Sequence, residues 1–177
     1  MGRIAAVVLA AGEATRFGAP KQRLLLPHVL DRLAKSPIDE IVIVQGAYQL
    51  EPPSYKLLQG ISSRLVTCDQ WKRGAGASLR CGLEVLSEAI DAAVIVLADG
   101  PGLSPDAIAR VLDSWRRQGG IVAASYRGDR GHPLVIGRTH WNAVPEEGLR
   151  EVAVRLVPCD DLGSPGDVDT PEDWNEG

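Results

Sequence analysis

Residues 9–21 read Leu-Ala-Ala-Gly-Glu-Ala-Thr-Arg-Phe-Gly-Ala-Pro-Lys, a turn with almost no side chains followed by two cations. Ala10, Ala11 and Gly12 let main-chain N–H groups approach a phosphate closely, and Arg16 and Lys21 carry charge that can neutralise it. The spacing is not that of a Walker A loop, which has four residues between its glycines and then Lys-Ser/Thr; here Gly12 and Gly18 enclose five, and Ala19-Pro20 precede the lysine. A second candidate is Asp99, directly after the apolar run Ala92 to Ala98. A carboxylate at the end of a buried strand is costly unless it is paired or binds a metal, and Mg²⁺ takes one or two carboxylates together with substrate phosphates. The bland alternative is a turn-forming Asp before Gly100-Pro101. Asp167 and Asp169 fall on one side of an extended chain and offer a second carboxylate, or they form a turn before a capped helix.

Other residues carry weaker signals. Gly74-Ala75-Gly76-Ala77-Ser78 lacks the third glycine of a dinucleotide fingerprint and fits better as a helix-entry loop touching a nucleoside or a second substrate. Trp71 is either a contact residue or a packing aromatic at the rim of a site. Arg130, Gly131 and His132 precede Pro133, where the histidine either touches a substrate or steadies its own loop. The three cysteines, Cys68, Cys81 and Cys159, are odd in number and widely spread, so neither a disulfide framework nor a zinc site is expected and all three are read as inert.

The chain of 177 residues fits one domain over 1–177. With 19 basic and 23 acidic residues the formal charge is -4, which argues against a nucleic-acid or anionic-membrane partner but allows a local basic site. Apolar types at 45% and charged types at 24% are ordinary globular values, and Phe occurs once, so the core must come from Ala, Val, Ile and Leu. No apolar stretch approaches the ~20 residues of a membrane span, and Gly12-Glu13-Ala14 is no signal-peptidase site, so a cytoplasmic location is expected.

The elements that would hold these groups follow from pattern. Ile4 to Ala10, Ile38 to Val44 and Ala92 to Ala98 are continuous apolar runs that suit strands buried on both faces, hence a mostly parallel sheet with helices on either side. Leu79, Leu83, Leu86 and Ile90 form one stripe of an amphipathic helix. Ser104-Pro105-Asp106 starts another, with Ile108, Val111, Leu112 and Trp115 as its buried face and Gly119-Gly120 as its stop. Pro27 places the start of a helix near His28, and Thr170-Pro171-Glu172-Asp173 signals a short C-terminal helix. Ile121 to Tyr126 and His132 to Ile136 read as strands around a charged glycine loop, and Val152 to Val157 as a half-exposed strand. The expectation is a three-layer Rossmann-like α/β fold with an antiparallel excursion in its second half.

Four ordered motifs then resemble one family. Residues 9–21 are similar to the L-A-A-G-x-x-x-R-F/M-G-x-x-K opening of nucleotidyltransferases related to the molybdenum cofactor cytidylyl- and guanylyltransferases. Trp71 to Leu83 resembles the family's W-x-x-G-x-x-x-S-L-x-x-G-L, Leu97 to Pro101 its L-A-D-x-P, and Asp167 to Asp173 its D-I-D-T-P-E-D. Arg130-Gly131-His132-Pro133 is similar to the R-G-H-P of the cytidylyl branch. The resemblance implies a nucleotidyltransferase fold, Mg²⁺ as cofactor, CTP as donor with GTP as the alternative, and molybdopterin as acceptor, with a molybdoenzyme or its chaperone downstream. It implies that Leu9, Ala10, Ala11, Gly12, Arg16, Lys21, Gly76, Ser78 and Asp99 bind nucleotide, with Lys21, Arg16 and Asp99 catalytic. Trp71, Arg130, Gly131 and His132 would meet the second substrate, and Asp99 would hold metal with Asp167 or Asp169. A non-catalytic cofactor chaperone on the same fold is the rival from another class.

Overall fold

The computed structural model describes residues 2–12, 21–54 and 56–166. It contains seven strands: β1 (Arg3–Ala10), β2 (Glu40–Gln45), β3 (Ser62–Thr67), β4 (Ile90–Leu97), β5 (Ile121–Tyr126), β6 (Asp129–Gly137) and β7 (Arg155–Pro158). They form one sheet in the order β3-β2-β1-β4-β6-β5-β7. The pairings β1 with β2 and β4, β2 with β3 and β5 with β7 are parallel, whereas β6 runs antiparallel to both β4 and β5. The expected α/β sheet with an antiparallel excursion is therefore what the chain adopts.

Side-chain alternation along β1 builds the layers. Ile4, Ala6, Val8 and Ala10 pack with α1 (Lys21–Ala34) and α3 (Pro105–Gln118) on one face of the sheet. Ala5 and Val7 pack with α2 (Ala75–Glu84) and Trp141 on the other. Small residues in the centre let α2 approach closely: a Cβ on Gly82 would lie 2.6 Å from Val7 Cγ1.

Helix α3 follows its sequence signals. Ser104 Oγ accepts from Ala107 N at 3.3 Å, Pro105 occupies the first turn, and Gly119 closes the helix at φ 65°. The turn between β5 and β6 is tighter than expected: Tyr126 pairs with Asp129, so only Arg127 and Gly128 turn the chain, both at positive φ. Arg130 and Gly131 thereby become part of a strand rather than a loop.

Several expectations change. Helix α1 begins at Lys21 and runs through Pro27 instead of starting at His28. An internal proline costs about 3 kcal/mol, but Leu25, Leu26, Val29, Leu30 and Leu33 are all buried, at roughly 1.5–3 kcal/mol each. Burial wins. The apolar stripe from Leu79 ends with the helix at Glu84, and Ile90 belongs to β4. The last strand starts at Arg155, not Val152, and its guanidinium ties it to the carbonyls of Ser114 and Gly119 at the end of α3.

Cys68 and Cys81 are joined in a disulfide, their Cα atoms 5.9 Å apart, so they are not independent inert thiols. Residue spacing in the sequence did not reveal that the end of β3 meets the side of α2. Cys159 is free and buried. The C-terminal helix expected from Thr170 lies outside the described residues. Among the described residues, no helix is long and apolar enough to cross a membrane.

Candidate active site

The central strands β1 and β4 end side by side, Leu9 in register with Leu97 and Ala98 N donating to Leu9 O at 3.1 Å. Carboxyl ends of parallel strands are where open α/β sheets bind ligands. Here they open into a cavity of about 400 Å³ lined by Ala10, Ala11, Gly12, Trp71, Ser78 and Asp99, among others. Among the described residues, a Cβ placed on Gly12 meets nothing within 4 Å. Three segments that lie far apart in sequence thus converge on one cavity, as their motifs require.

The third wall is the entry to α2. Gly74, at φ 142°, turns the chain into the helix, and Ala75 and Ser78 face the cavity. Gly76, expected at the nucleotide, does not line it. A side chain there would overlap the carbonyl oxygen of Pro145 and lie 2.7 Å from Glu146 O, so this glycine serves close packing of α2 against residues 145–148. Ala77 N donates to Glu146 O at 3.1 Å along the same contact. Trp71 packs on Gly46, where a Cβ would stand 2.6 Å from its Cγ. The Lys72 ammonium, a residue no motif singled out, lies 5.5 Å from the centre of that ring and also lines the cavity.

A second cavity, of about 640 Å³, shares Leu9 and Leu97 with the first. Its walls are mainly apolar, with Leu79, Ile95, Leu134 and Leu149 facing Arg130, His132 and Arg150. Gly131 lines it too, and a Cβ there would lie 2.9 Å from the Tyr126 ring. Tyr126 Oη donates to His132 O at 2.7 Å, fixing the strand on which the histidine sits. Burial pushes the Tyr126 hydroxyl up to about 12, so it remains a donor at neutral pH.

Burial lowers His132 from 6.5 to about 4; nearby Asp99 opposes the shift and Arg130 adds to it. His132 is therefore neutral at pH 7, a hydrogen-bonding group rather than a cation. Because the folded pKa is depressed, the unfolded chain binds the extra proton between the two values. Stability is full above pH 6.5 and declines as pH falls towards 4. His132→Gln should flatten this part of the profile by on the order of 1–3 kcal/mol, measured by denaturant unfolding of both proteins across pH. Parallel profiles would show that the histidine titrates normally.

Among the described residues no group of three His, Cys, Asp or Glu side chains could hold a metal by itself. Among the described residues, the one carboxylate lining the first cavity is Asp99, beside the Ala10–Gly12 turn. A lone carboxylate at this place fits a Mg²⁺-like ion completed by substrate phosphates. Arg16, Asp167 and Asp169 lie outside the described residues; Lys21 is placed by its backbone as the first residue of α1.

Comparison with known proteins agrees with this geometry. The family model for the MobA-like NTP transferase domain matches residues 6–157. A 2-C-methyl-D-erythritol 4-phosphate cytidylyltransferase of Stenotrophomonas maltophilia (strain K279a) is 36% identical over 135 residues, 68% of this chain and 57% of that protein. The chain thus spans less than two thirds of this curated relative. The crystal structure of the Mycobacterium tuberculosis Rv0371c homolog from Mycobacterium sp. strain JC1 superposes with a TM-score of 0.76 at 27% identity, covering 97% of this chain and 92% of that one. Rv0371c from Mycobacterium tuberculosis H37Rv, in complex with manganese, gives a TM-score of 0.70 at 26% identity, covering 97% and 95%.

Proposed function

The chain belongs to the MobA-like NTP transferase domain family, and from that premise we propose that it transfers CMP from CTP to the phosphate of a molybdopterin-type acceptor, releasing pyrophosphate. The observation that supports this most is the meeting of the Leu9–Gly12 turn, the α2 entry and Asp99 on one cavity that opens beside a larger apolar one. Two adjoining compartments suit a two-substrate transfer.

The donor triphosphate lies against the turn, with Arg16 and Lys21 neutralising it and Ser78 available to hydrogen-bond. The acceptor occupies the larger cavity, whose apolar walls suit a planar ring system better than a bare polyol. An oxygen of the acceptor phosphate attacks the α-phosphorus in line; the new P–O bond forms as the bond to the β-phosphate oxygen breaks and pyrophosphate leaves. Asp99, with Asp167 or Asp169, would hold Mg²⁺, which when bound supplies charge neutralisation at the α-phosphate. The chain's own part is positioning: two anions are brought together and held in line.

The identity to a 2-C-methyl-D-erythritol 4-phosphate cytidylyltransferase favours a second acceptor, a small polyol phosphate. One assay separates the readings: pyrophosphate release from CTP, GTP, ATP and UTP with Mg²⁺ and either molybdopterin or 2-C-methyl-D-erythritol 4-phosphate. CTP with molybdopterin is expected to give the highest kcat/KM. GTP equal to or above CTP would transfer the assignment to guanylyl chemistry, and faster reaction with the polyol phosphate would change the acceptor. Nucleotide binding without pyrophosphate release from any pair would indicate a cofactor chaperone.

A further inference from the structure

Arg130 and Arg150 both line the larger cavity, and both also line a neighbouring one, of about 400 Å³, bounded by Ser164 and Gly166. Only Arg130 lies in a motif, yet the two guanidiniums are in opposite states. That of Arg130 donates to Val152 O at 2.8 Å, to Arg150 O at 3.4 Å and to Leu149 O. It is partly buried, and three of its five N–H donors are engaged by carbonyls of one short segment. The Arg150 side chain is exposed and makes no hydrogen bond or ion pair among the described residues. His132, which lines the same cavity, carries no charge at neutral pH.

We infer that Arg150 is the cation that holds an anionic group of the acceptor, and that Arg130 acts through it, as a positioning residue clamping the main chain of residues 149–152. The assignment rests on the nucleotidyl-transfer reading for the identity of the second compartment. A guanidinium already held on three carbonyls has fewer donors and less freedom to form the forked contact that phosphate or carboxylate favours, whereas an unengaged one has all five. Apolar walls with one such cation at the edge select a molecule with an apolar body and an anionic end.

The test uses flavin mononucleotide as a probe, a phosphomonoester on an apolar ring system, with riboflavin as the same body without the phosphate. Wild type should bind flavin mononucleotide at least tenfold more tightly than riboflavin. Arg150→Met keeps the apolar stem and should erase that preference while leaving CTP binding unchanged, and Arg150→Lys should restore part of it. Arg130→Met should weaken flavin mononucleotide as well, but together with faster amide hydrogen exchange at residues 149–152, which Arg150→Met leaves alone.

Failure of wild type to bind flavin mononucleotide, or an undiminished phosphate preference in Arg150→Met, overturns the assignment. So does loss of that preference in Arg130→Met with exchange at 149–152 unchanged, since Arg130 would then touch the anion directly. CTP binding is measured separately. A wild type that binds the flavin phosphate through Arg150 but no nucleoside triphosphate would sink the transferase reading and leave the Arg150 site standing.

Discussion

Replacing Asp99 with Asn should lower turnover by about 10²–10³-fold, the loss typical when one preorganised electrostatic contact to a developing charge is removed. The substitution preserves shape and removes only the negative charge. The main chain on either side is held by Ala98 N to Leu9 O at 3.1 Å and Gly100 N to Leu97 O at 3.2 Å, bonds that the substitution does not touch. The half-maximal Mg²⁺ concentration should rise in the same variant, because a carboxylate binds a hard cation far better than an amide does. A second readout comes from His132. The Asp99 charge opposes the lowering of its pKa, so in Asp99→Asn the histidine should titrate lower still, visible by NMR. Full turnover of the variant, or turnover by wild type freed of divalent metal, would exclude the metal role of Asp99.

The candidate site was mostly readable because its signals are local. Apolar runs fix β1, β2 and β4, and parallel strands buried on both faces force ligand groups to their carboxyl ends. Leu9 to Gly12 and Asp99 follow two such runs, so their meeting could be argued before any coordinates. What sequence hid was set by tertiary contact. Gly76 looks like a ligand-loop glycine, but its missing side chain makes room for the carbonyl of Pro145. Pro27 signals a helix boundary that five buried neighbours overrule. Cys68 and Cys81 come together only because α2 lies against the end of β3. Arg150 carries no motif at all; its significance appears only when Arg130 is seen to be occupied.

Lys21→Ala should raise the KM for the nucleoside triphosphate, or lower kcat/KM, by at least tenfold, about 1.4 kcal/mol of lost transition-state stabilisation. The lysine is the first residue of α1, a helix of 14 residues, nine positions after Gly12, and a helix N-terminus itself favours anions. Removal of one cation leaves the helix and Arg16, so the loss should be partial in binding and larger in turnover, where charge moves on to the leaving pyrophosphate. Salt offers an independent check. A contact between charges is screened by ions, so raising ionic strength should weaken triphosphate binding in wild type more than in Lys21→Ala. Lys21→Arg separates charge from shape: it keeps the cation but replaces a compact ammonium by a planar fork, and should recover binding better than turnover. The measurement is steady-state pyrophosphate release with thermal unfolding as a control for folding. If a folded Lys21→Ala protein shows wild-type kinetics, the phosphate cradle is not where the sequence places it.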